Sequence, residues 1–159
     1  MATTPLVDIP CVVLDASLII ALCAKEPRRF DAAKAERENH ALAGGLFYAP
    51  NVIVGETLFV LRRKLRDGDL TDTEHSQAVQ SFYVRMTAVL PPPGGEVSLI
   101  LRADSICTGL GPGRSADALY VALAEELSRT YETRLLTFDQ GMLKQAADHA
   151  PDATVHLLT

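Results

Sequence analysis

The chain has 159 residues, a formal net charge of −5 and a hydrophobic fraction of 48%. A chain of this length can bury one good core, so we predict a single domain over residues 1–159, with residues 1–10 as a polar N-terminal lead. The negative net charge argues against a protein whose whole surface binds a polyanion.

The cysteines and histidines show no spacing typical of a metal site. Cys11, Cys23 and Cys107 lie far apart in apolar segments, which is typical of small buried side chains in a reducing compartment. Residues 1–10 have neither the basic region nor the apolar core of a signal peptide. The longest apolar stretch is too short to cross a bilayer. We therefore predict a cytoplasmic protein that does not associate with a membrane.

Apolar runs and turn residues predict alternating strands and helices in chain order. The predicted strands are residues 11–14, 46–49, 88–90, 135–137 and 154–158. The predicted helices are residues 17–25, 30–42, 51–66, 71–86, 96–107, 116–128 and 141–149. Such alternation is typical of a parallel sheet with helices on both faces.

Residues with short polar side chains predict where several helices begin. Asn51 and Ser115 are the predicted N-caps of their helices, and either Asp15 or Ser17 caps the first helix. Thr71 and Glu74 have the spacing of a capping box. A glycine-rich loop is predicted at residues 109–114, just before the helix that Ser115 opens.

Two acids directly follow apolar strands. Asp15 comes after the run 11–14, whose continuous apolar character fits a strand covered on both faces. Asp139 follows the strand 135–137 in the same way, although it could also be a helix N-cap. Open α/β sheets bind ligands outside the carboxyl ends of their strands, so both acids are candidates for a functional site.

Two further acids lie on predicted helices. Glu56 has Ile53, Phe59 and Val60 as helical neighbours, so we expect this half of the helix to be buried. A lone buried carboxylate costs several kcal/mol unless it is paired, protonated or bound to a metal. A salt bridge to an arginine or a partly exposed helix start would also explain it. Asp117 lies in the first turn of its helix, where the helix dipole also favours an acid.

The four acids are more informative as a set, because each is predicted at an element end or buried face around one crevice. Two charges ~4 Å apart at an effective dielectric of ~20 repel by about 4 kcal/mol, so a cluster needs a counter-ion. An all-oxygen site suits Mg²⁺ or Mn²⁺, which can activate water and stabilise charge on a phosphoryl group. Ser17 and Thr137 each stand two residues from an acid, where a hydroxyl can orient a carboxylate or cap a helix.

The order and context of these acids resemble the PIN-domain ribonucleases, and most of all the VapC-type toxins of toxin–antitoxin pairs. The likeness spans residues 12–158 and rests on Asp15-Ala16-Ser17, Glu56 in a helix after a short strand, the segment from Ser115 to Glu125, and Leu136-Thr137-Phe138-Asp139. The resemblance implies a three-layer α/β/α fold with about five parallel strands in the order 3-2-1-4-5. The N-terminal lead, residues 43–46 and residues 91–95 look like modest additions to the family pattern.

The resemblance also implies an activity and its participants. It implies an endoribonuclease that uses Mg²⁺ or Mn²⁺, forms a homodimer and is silenced by a cognate antitoxin. The implied catalytic and metal-binding residues are Asp15, Glu56, Asp117 and Asp139, with Ser17 and Thr137 in support. Arg114, just before the Asp117 helix, is a candidate contact for an RNA phosphate. The basic run at residues 62–66 is more typical of a solvated helix end.

Two alternatives stay open at this point. One is a catalytically silent PIN fold that acts as a binding module. The presence of all four acids argues against this alternative. The other is a doubly wound phosphotransfer or phosphatase domain, which also places an aspartate after its first strand. A phosphatase of that kind would want a second aspartate at Ser17, and a receiver would want paired acids just before its first helix, and neither is present.

Overall fold

A five-stranded parallel sheet forms the centre of the fold, in a computed structural model that describes residues 7–107 and 115–159. The strands are β1 (Val7–Leu14), β2 (Leu46–Tyr48), β3 (Val89–Leu90), β4 (Tyr131–Thr137) and β5 (Val155–Leu157). Their order across the sheet is β3-β2-β1-β4-β5, and each neighbouring pair is parallel. The predicted fold class and strand order are therefore confirmed.

Seven helices in the described residues complete an α/β/α arrangement, with helices on both sides of the sheet. They are α1 (Ala16–Cys23), α2 (Phe30–Leu42), α3 (Val52–Arg66), α4 (Asp72–Met86), α5 (Glu96–Cys107), α6 (Ser115–Ser128) and α7 (Gln140–His149). Helix α1 contacts α2, α3 and α4, whereas α6 contacts the sheet and the helices α5 and α7. None of these helices combines the length and apolar character that crossing a bilayer requires.

The central strand β1 brings the first acid to the edge of the sheet. Its last four residues, 11–14, are buried, as expected for a strand covered on both faces. In the register of β1 with β4, Leu14 lies opposite Leu136, and the N–H of Asp15 donates to the carbonyl of Leu136 over 3.2 Å. Since parallel strands end at the same edge, Asp15 lies beside Thr137 at the carboxyl edge of the sheet.

Strand β1 begins earlier than the sequence predicts. Residues 7–10 belong to β1 and not to a polar lead, while residues 1–6 lie outside the described part of the chain. Val7 pairs with Tyr131, because β4 also begins earlier than predicted and offers hydrogen-bonding groups there. The apolar pattern could not show this extension, since residues 7–9 are exposed.

The helix ends show one prediction confirmed and two corrected. Thr71 and Glu74 form both hydrogen bonds of the predicted capping box. Asn51 is the N-cap residue of α3, but its side chain makes no capping bond; its N–H instead donates to Glu96 Oε1 over 2.8 Å. Helix α1 ends at Cys23, two residues early, before Lys25 turns the chain with a left-handed φ of 51°. The predicted loop at residues 109–114 lies outside the described residues, as does Arg114.

Candidate active site

A cleft of about 330 Å³ opens at the carboxyl edge of the sheet, and all four predicted acids line it. Its lining includes Asp15, Glu56, Asp117 and Asp139, together with Ser17. The acids come from the end of β1, the middle of α3, the first turn of α6 and the segment between β4 and α7. The fold therefore brings together carboxylates from four separate parts of the chain.

Two hydroxyl groups hold Asp15, which is only 4% exposed. Ser17 Oγ donates to Asp15 Oδ2 over 2.5 Å, and Thr137 Oγ1 donates to the same oxygen over 2.8 Å. Asp15 is also the N-cap residue of α1, but its side chain makes no capping hydrogen bond. The carboxylate lines the cleft, and the backbone N–H groups of Ala16 and Ser17 also favour its charged form.

Glu56 is held across the cleft by Tyr120 of α6. The Tyr120 hydroxyl donates to Glu56 Oε2 over 2.5 Å. Glu56 is half-buried, and the expectation of a helix buried on all sides at this point is wrong, because Phe59 is 78% exposed. The buried face of α3 is formed by Ile53, Thr57 and Leu61, and Glu56 lies at its margin. This position lets the carboxylate reach the cleft while its stem stays against the protein.

Asp139 and Asp117 line the cleft from the starts of two helices, and Asp139 also caps its helix. Asp139 Oδ1 accepts a hydrogen bond from Gly141 N over 2.7 Å, so Asp139 is the N-cap of α7 as well as a residue of the cleft. Its own N–H donates to Thr137 Oγ1 over 2.9 Å, which ties it to the hydroxyl that holds Asp15. Asp117 is half-buried in the first turn of α6. Burial raises the pKa of the Cys107 thiol, and the charges of Asp104 and Asp117 raise it further.

Burial dominates the electrostatics of the two held acids. Burial raises the pKa of Asp15, although the hydroxyls of Ser17 and Thr137 oppose the shift by bonding the charged form. The pKa of Glu56 is also raised, first by burial and further by the negative charge of Asp15, while the bond from Tyr120 opposes the shift. Both acids therefore favour a proton or a cation at neutral pH more than a solvated acid would.

The donor set fits a hard divalent cation. No three histidine, cysteine, aspartate or glutamate side chains within residues 7–107 and 115–159 lie close enough to hold one ion together. Mg²⁺, however, keeps several of its waters and commonly binds a protein through one or two carboxylates. Asp15 and Glu56, whose charges interact, are such a pair, and the other acids of the cleft are also carboxylates.

Sequence reasoning missed Tyr120 as a residue of the site. Tyr120 lies three residues after Asp117, so both belong to one face of α6. Its side chain is fully buried, and burial together with the nearby charges of Glu56 and Asp15 raises its pKa. A phenol within the apolar run 118–124 of α6 was the available signal, because a buried hydroxyl needs a hydrogen-bond partner.

The sequence analysis also did not predict an ion pair between α5 and α6. Arg102 of α5 forms a double hydrogen bond with Glu125 of α6, with Nε–Oε2 at 2.6 Å and Nη2–Oε1 at 2.7 Å. The same guanidinium donates to the carbonyl of His149 at the end of α7 over 3.1 Å. One arginine thus connects three helices, two of which, α6 and α7, carry or border acids of the cleft.

The fold and the cleft together define an α/β/α protein with an acidic site at the carboxyl edge of its sheet. The PIN domain family matches residues 12–148, so the chain belongs to the PIN domain family, as its sequence predicted. PIN domains are generally nucleases, and they generally use divalent metals. No curated protein matches the chain.

Three solved structures share the fold. One is a chain of VapBC2 from Rickettsia felis, crystallised bound to a DNA fragment from the VapBC2 promoter. It is 12% identical to this chain with a TM-score of 0.60, and the match covers 94% of this chain and 99% of that chain. A chain of FitAB bound to an IR36 DNA fragment is 17% identical with a TM-score of 0.55, over 92% and 94%. PAE2754 from Pyrobaculum aerophilum is 18% identical with a TM-score of 0.52, over 91% and 81%.

Proposed function

We propose that this protein is a metal-dependent endoribonuclease that serves as the toxin of a type II toxin–antitoxin pair. The observation that carries the proposal is the meeting of Asp15, Glu56, Asp117 and Asp139 in one cleft of a PIN fold. In this proposal the four acids are the catalytic residues, Asp15 and Glu56 are the protein ligands of the metal ion, and Ser17 and Thr137 support Asp15. A silent PIN-fold binding module is the alternative, and the cleavage experiment below separates the two.

The position of each acid in the cleft suggests a different role for it in the proposed reaction. Asp15 and Glu56 would hold Mg²⁺ or Mn²⁺, an ion that lowers the pKa of a bound water and stabilises charge on a phosphoryl group. Asp139 is fixed at the start of α7 by its bond from Gly141 N, and it can accept a proton or a hydrogen bond from a water in the cleft. Asp117 faces the same space from α6.

Cations near the cleft supply contacts for an RNA backbone. Arg29 places its guanidinium carbon 5.0 Å from the centre of the Phe138 ring, and Phe138 lies between Thr137 and Asp139. Arg114 stays a predicted phosphate contact, as it lies outside the described residues. Arg29 also lies 3.9 Å from Glu26, so an RNA phosphate would compete with that carboxylate for it. At the end of α3, Lys64 pairs with Glu26 and Arg66 with Asp67, which favours the solvated helix end over an RNA site.

Purified protein free of any partner is expected to cleave single-stranded or looped RNA when Mg²⁺ or Mn²⁺ is present. The physical reason is that the ion both activates water and offsets the charge of the acids. The measurement is a time course on labelled RNA with each ion alone, followed by excess chelator. Cleavage that continues at full rate in chelator contradicts the proposed mechanism. A folded protein that binds the ion without cutting any RNA supports the binding module.

The proposal includes a neutralising antitoxin and a homodimer in a cytoplasmic setting. Two of the similar folds come from two-component complexes, VapBC2 and FitAB, which supports a partner for this chain. A cleft lined by four carboxylates attracts a cationic side chain as it attracts a metal ion.

Co-expression of the cognate antitoxin gene, sought as a small reading frame adjacent to this one, is expected to relieve growth arrest and to yield a stable complex on purification. The expected complex has lower RNase activity than the free protein, since a basic side chain of the partner would compete with the metal ion for the acids. The measurements are growth with and without the second gene, and co-purification by size exclusion. An adjacent product that neither rescues growth nor co-purifies contradicts the toxin–antitoxin assignment.

A further inference from the structure

The cleft that holds the four acids also has an apolar wall. Ile20, Phe59, Val60 and Met142 line the cleft together with the carboxylates. Ile20 is 7% exposed and Met142 is 2% exposed, so both belong to the core, whereas Phe59 is 78% exposed. The ring of Phe59 is therefore the part of this wall that a ligand in the cleft can contact most fully.

Phe59 shares one face of α3 with Glu56. The two residues are three positions apart, so their side chains are neighbours on the surface of the helix. Side chains of a helix lean towards its N-terminus, which brings the Phe59 ring back over the turn that contains Glu56. In agreement, the ring carbon Cε2 lies 3.7 Å from the point where a Cβ of Gly55 would stand. An exposed aromatic ring therefore lies beside an acid of the cleft.

Gly55 leaves this ring uncovered. Glycine is a poor residue for a helix, and Gly55 lies within α3. A side chain at this position would begin in contact with the Phe59 ring, and a longer one would cover part of it. The glycine therefore keeps the ring accessible at the edge of the cleft.

Positive charge borders the ring on the side away from Glu56. Arg62 and Arg63 follow Phe59 by three and four residues, and both are exposed. Even as solvated cations at a helix end, they favour the approach of an RNA strand over that of an apolar or basic peptide. Under the proposed function the cleft receives an RNA phosphate, and the flat groups nearest to that phosphate are the bases beside it. Proteins hold unpaired bases by stacking them on aromatic side chains, so a base of the substrate is the occupant that the ring and its surroundings favour.

We propose that the Phe59 ring stacks on an unpaired nucleobase next to the phosphate that is cleaved. The inference rests on the proposed function, which brings RNA to this cleft, and it adds the residue that holds the base. A base within a duplex is covered on both faces by its neighbours, so it must leave the stack to meet the ring. The proposal therefore supplies a physical reason for cleavage of single-stranded or looped RNA.

Phe59→Ala is expected to lower kcat/KM about tenfold on a looped RNA that wild type cleaves, which is the effect of losing one base–aromatic stack. The melting temperature should not change, because the ring is mostly exposed. Phe59→Trp keeps a flat ring and should cleave as wild type does, whereas Phe59→Leu keeps an apolar side chain without the ring and should behave like the alanine variant. Tyr83→Ala is the matched control, since Tyr83 is 57% exposed and α4 contributes none of the described residues that line the cleft. The measurement is the initial rate of cleavage at several RNA concentrations.

Substrates that lack one base identify the partner of the ring. Once the cleaved bond has been mapped with wild type, each nucleotide beside it is replaced in turn by an abasic nucleotide. At the stacked position, wild type should lose about tenfold in kcat/KM, and Phe59→Ala should lose nothing further. If Phe59→Ala loses as much as wild type at every position, the ring does not act through a base and the inference is overturned.

The remaining outcomes separate this inference from the proposed function. Equal cleavage by wild type and Phe59→Ala, or by Phe59→Leu if the alanine variant does not fold, overturns the inference and leaves the proposed function standing. A variant that cleaves normally but no longer co-purifies with an antitoxin also overturns it, because the ring then serves a protein partner. If wild type cleaves no RNA, the proposed function fails, and fluorescence anisotropy with the same labelled RNA decides the stacking. Weaker binding by Phe59→Ala then supports the inference, equal binding overturns it, and no binding by wild type overturns both.

Discussion

Asp15→Asn is expected to lower RNA cleavage at least ~100-fold while leaving the protein folded. Asparagine has nearly the shape of aspartate, and its carbonyl oxygen can accept the hydrogen bonds from Ser17 and Thr137 that Oδ2 accepts in the wild type. The change removes one charge from the cleft, and with it a metal ligand under the proposed function. The measurement is the initial rate of cleavage at saturating Mg²⁺, beside a circular dichroism spectrum.

The same variant is expected to respond differently to metal in thermal melts. Mg²⁺ at a hundredfold excess over its dissociation constant stabilises a folded protein by ~2.7 kcal/mol, and this gain should be far smaller for Asp15→Asn. Without metal, the variant should be as stable as wild type or more stable, because it no longer buries a charge. Asp148→Asn, an exposed change on α7, is the control and should match wild type in both buffers.

Without metal, the difference in stability between Asp15→Asn and wild type should increase as the pH rises from about 4. Burial raises the pKa of Asp15 in the folded state above its unfolded value of about 4. The folded state therefore binds the proton more tightly, and wild type loses stability as the pH rises through the raised pKa. The advantage of Asp15→Asn should be present at pH 7 and vanish below about pH 4. If the two proteins respond alike to metal and cleavage survives, Asp15 is only a structural residue.

Arg102→Ala is expected to destabilise the fold by about 2–3 kcal/mol, which lowers the melting temperature by about 5–10 °C. Removal of the arginine leaves the Glu125 carboxylate, whose side chain is 9% exposed, without its double hydrogen bond. The expected loss of unfolding free energy is smaller than for a fully buried ion pair. The reason is that the Arg102 side chain is 38% exposed, so water screens its charge. Urea unfolding followed by circular dichroism measures the difference.

The Arg102 prediction has a matched control and a pH signature. Arg66→Ala breaks the exposed pair with Asp67 and should cost less than about 1 kcal/mol. The hydrogen bonds from Arg102 lower the pKa of Glu125 in the folded state. The ion pair therefore stabilises the fold fully above the unfolded pKa of Glu125, which is about 4.3. This stabilisation is lost as the pH falls through the lower, folded-state pKa. The gap between wild type and Arg102→Ala should therefore narrow in acid; equal stability at pH 7 would contradict the prediction.

The sequence by itself predicted a parallel sheet with helices on both faces and singled out the four acids, whereas the strand order came from the resemblance to the PIN-domain family. A continuous apolar run followed at once by an acid predicted a buried parallel strand with the acid at its carboxyl edge, which is where Asp15 lies. Local patterns also placed α2 at Phe30–Leu42 and α5 at Glu96–Cys107, because helix periodicity and end signals act over a few residues. The capping box of Thr71 and Glu74 is local for the same reason.

The tertiary structure decided which groups meet across long separations. Tyr120 and Glu56 are 64 positions apart, and Arg102 and Glu125 are 23 apart, so no local pattern pairs them. The tertiary structure also decided that Asn51 N–H would bond Glu96 and that Phe59 would face outward. Periodicity predicts that a residue lies on a face of its helix, but only the packing of the neighbouring elements decides what that face meets.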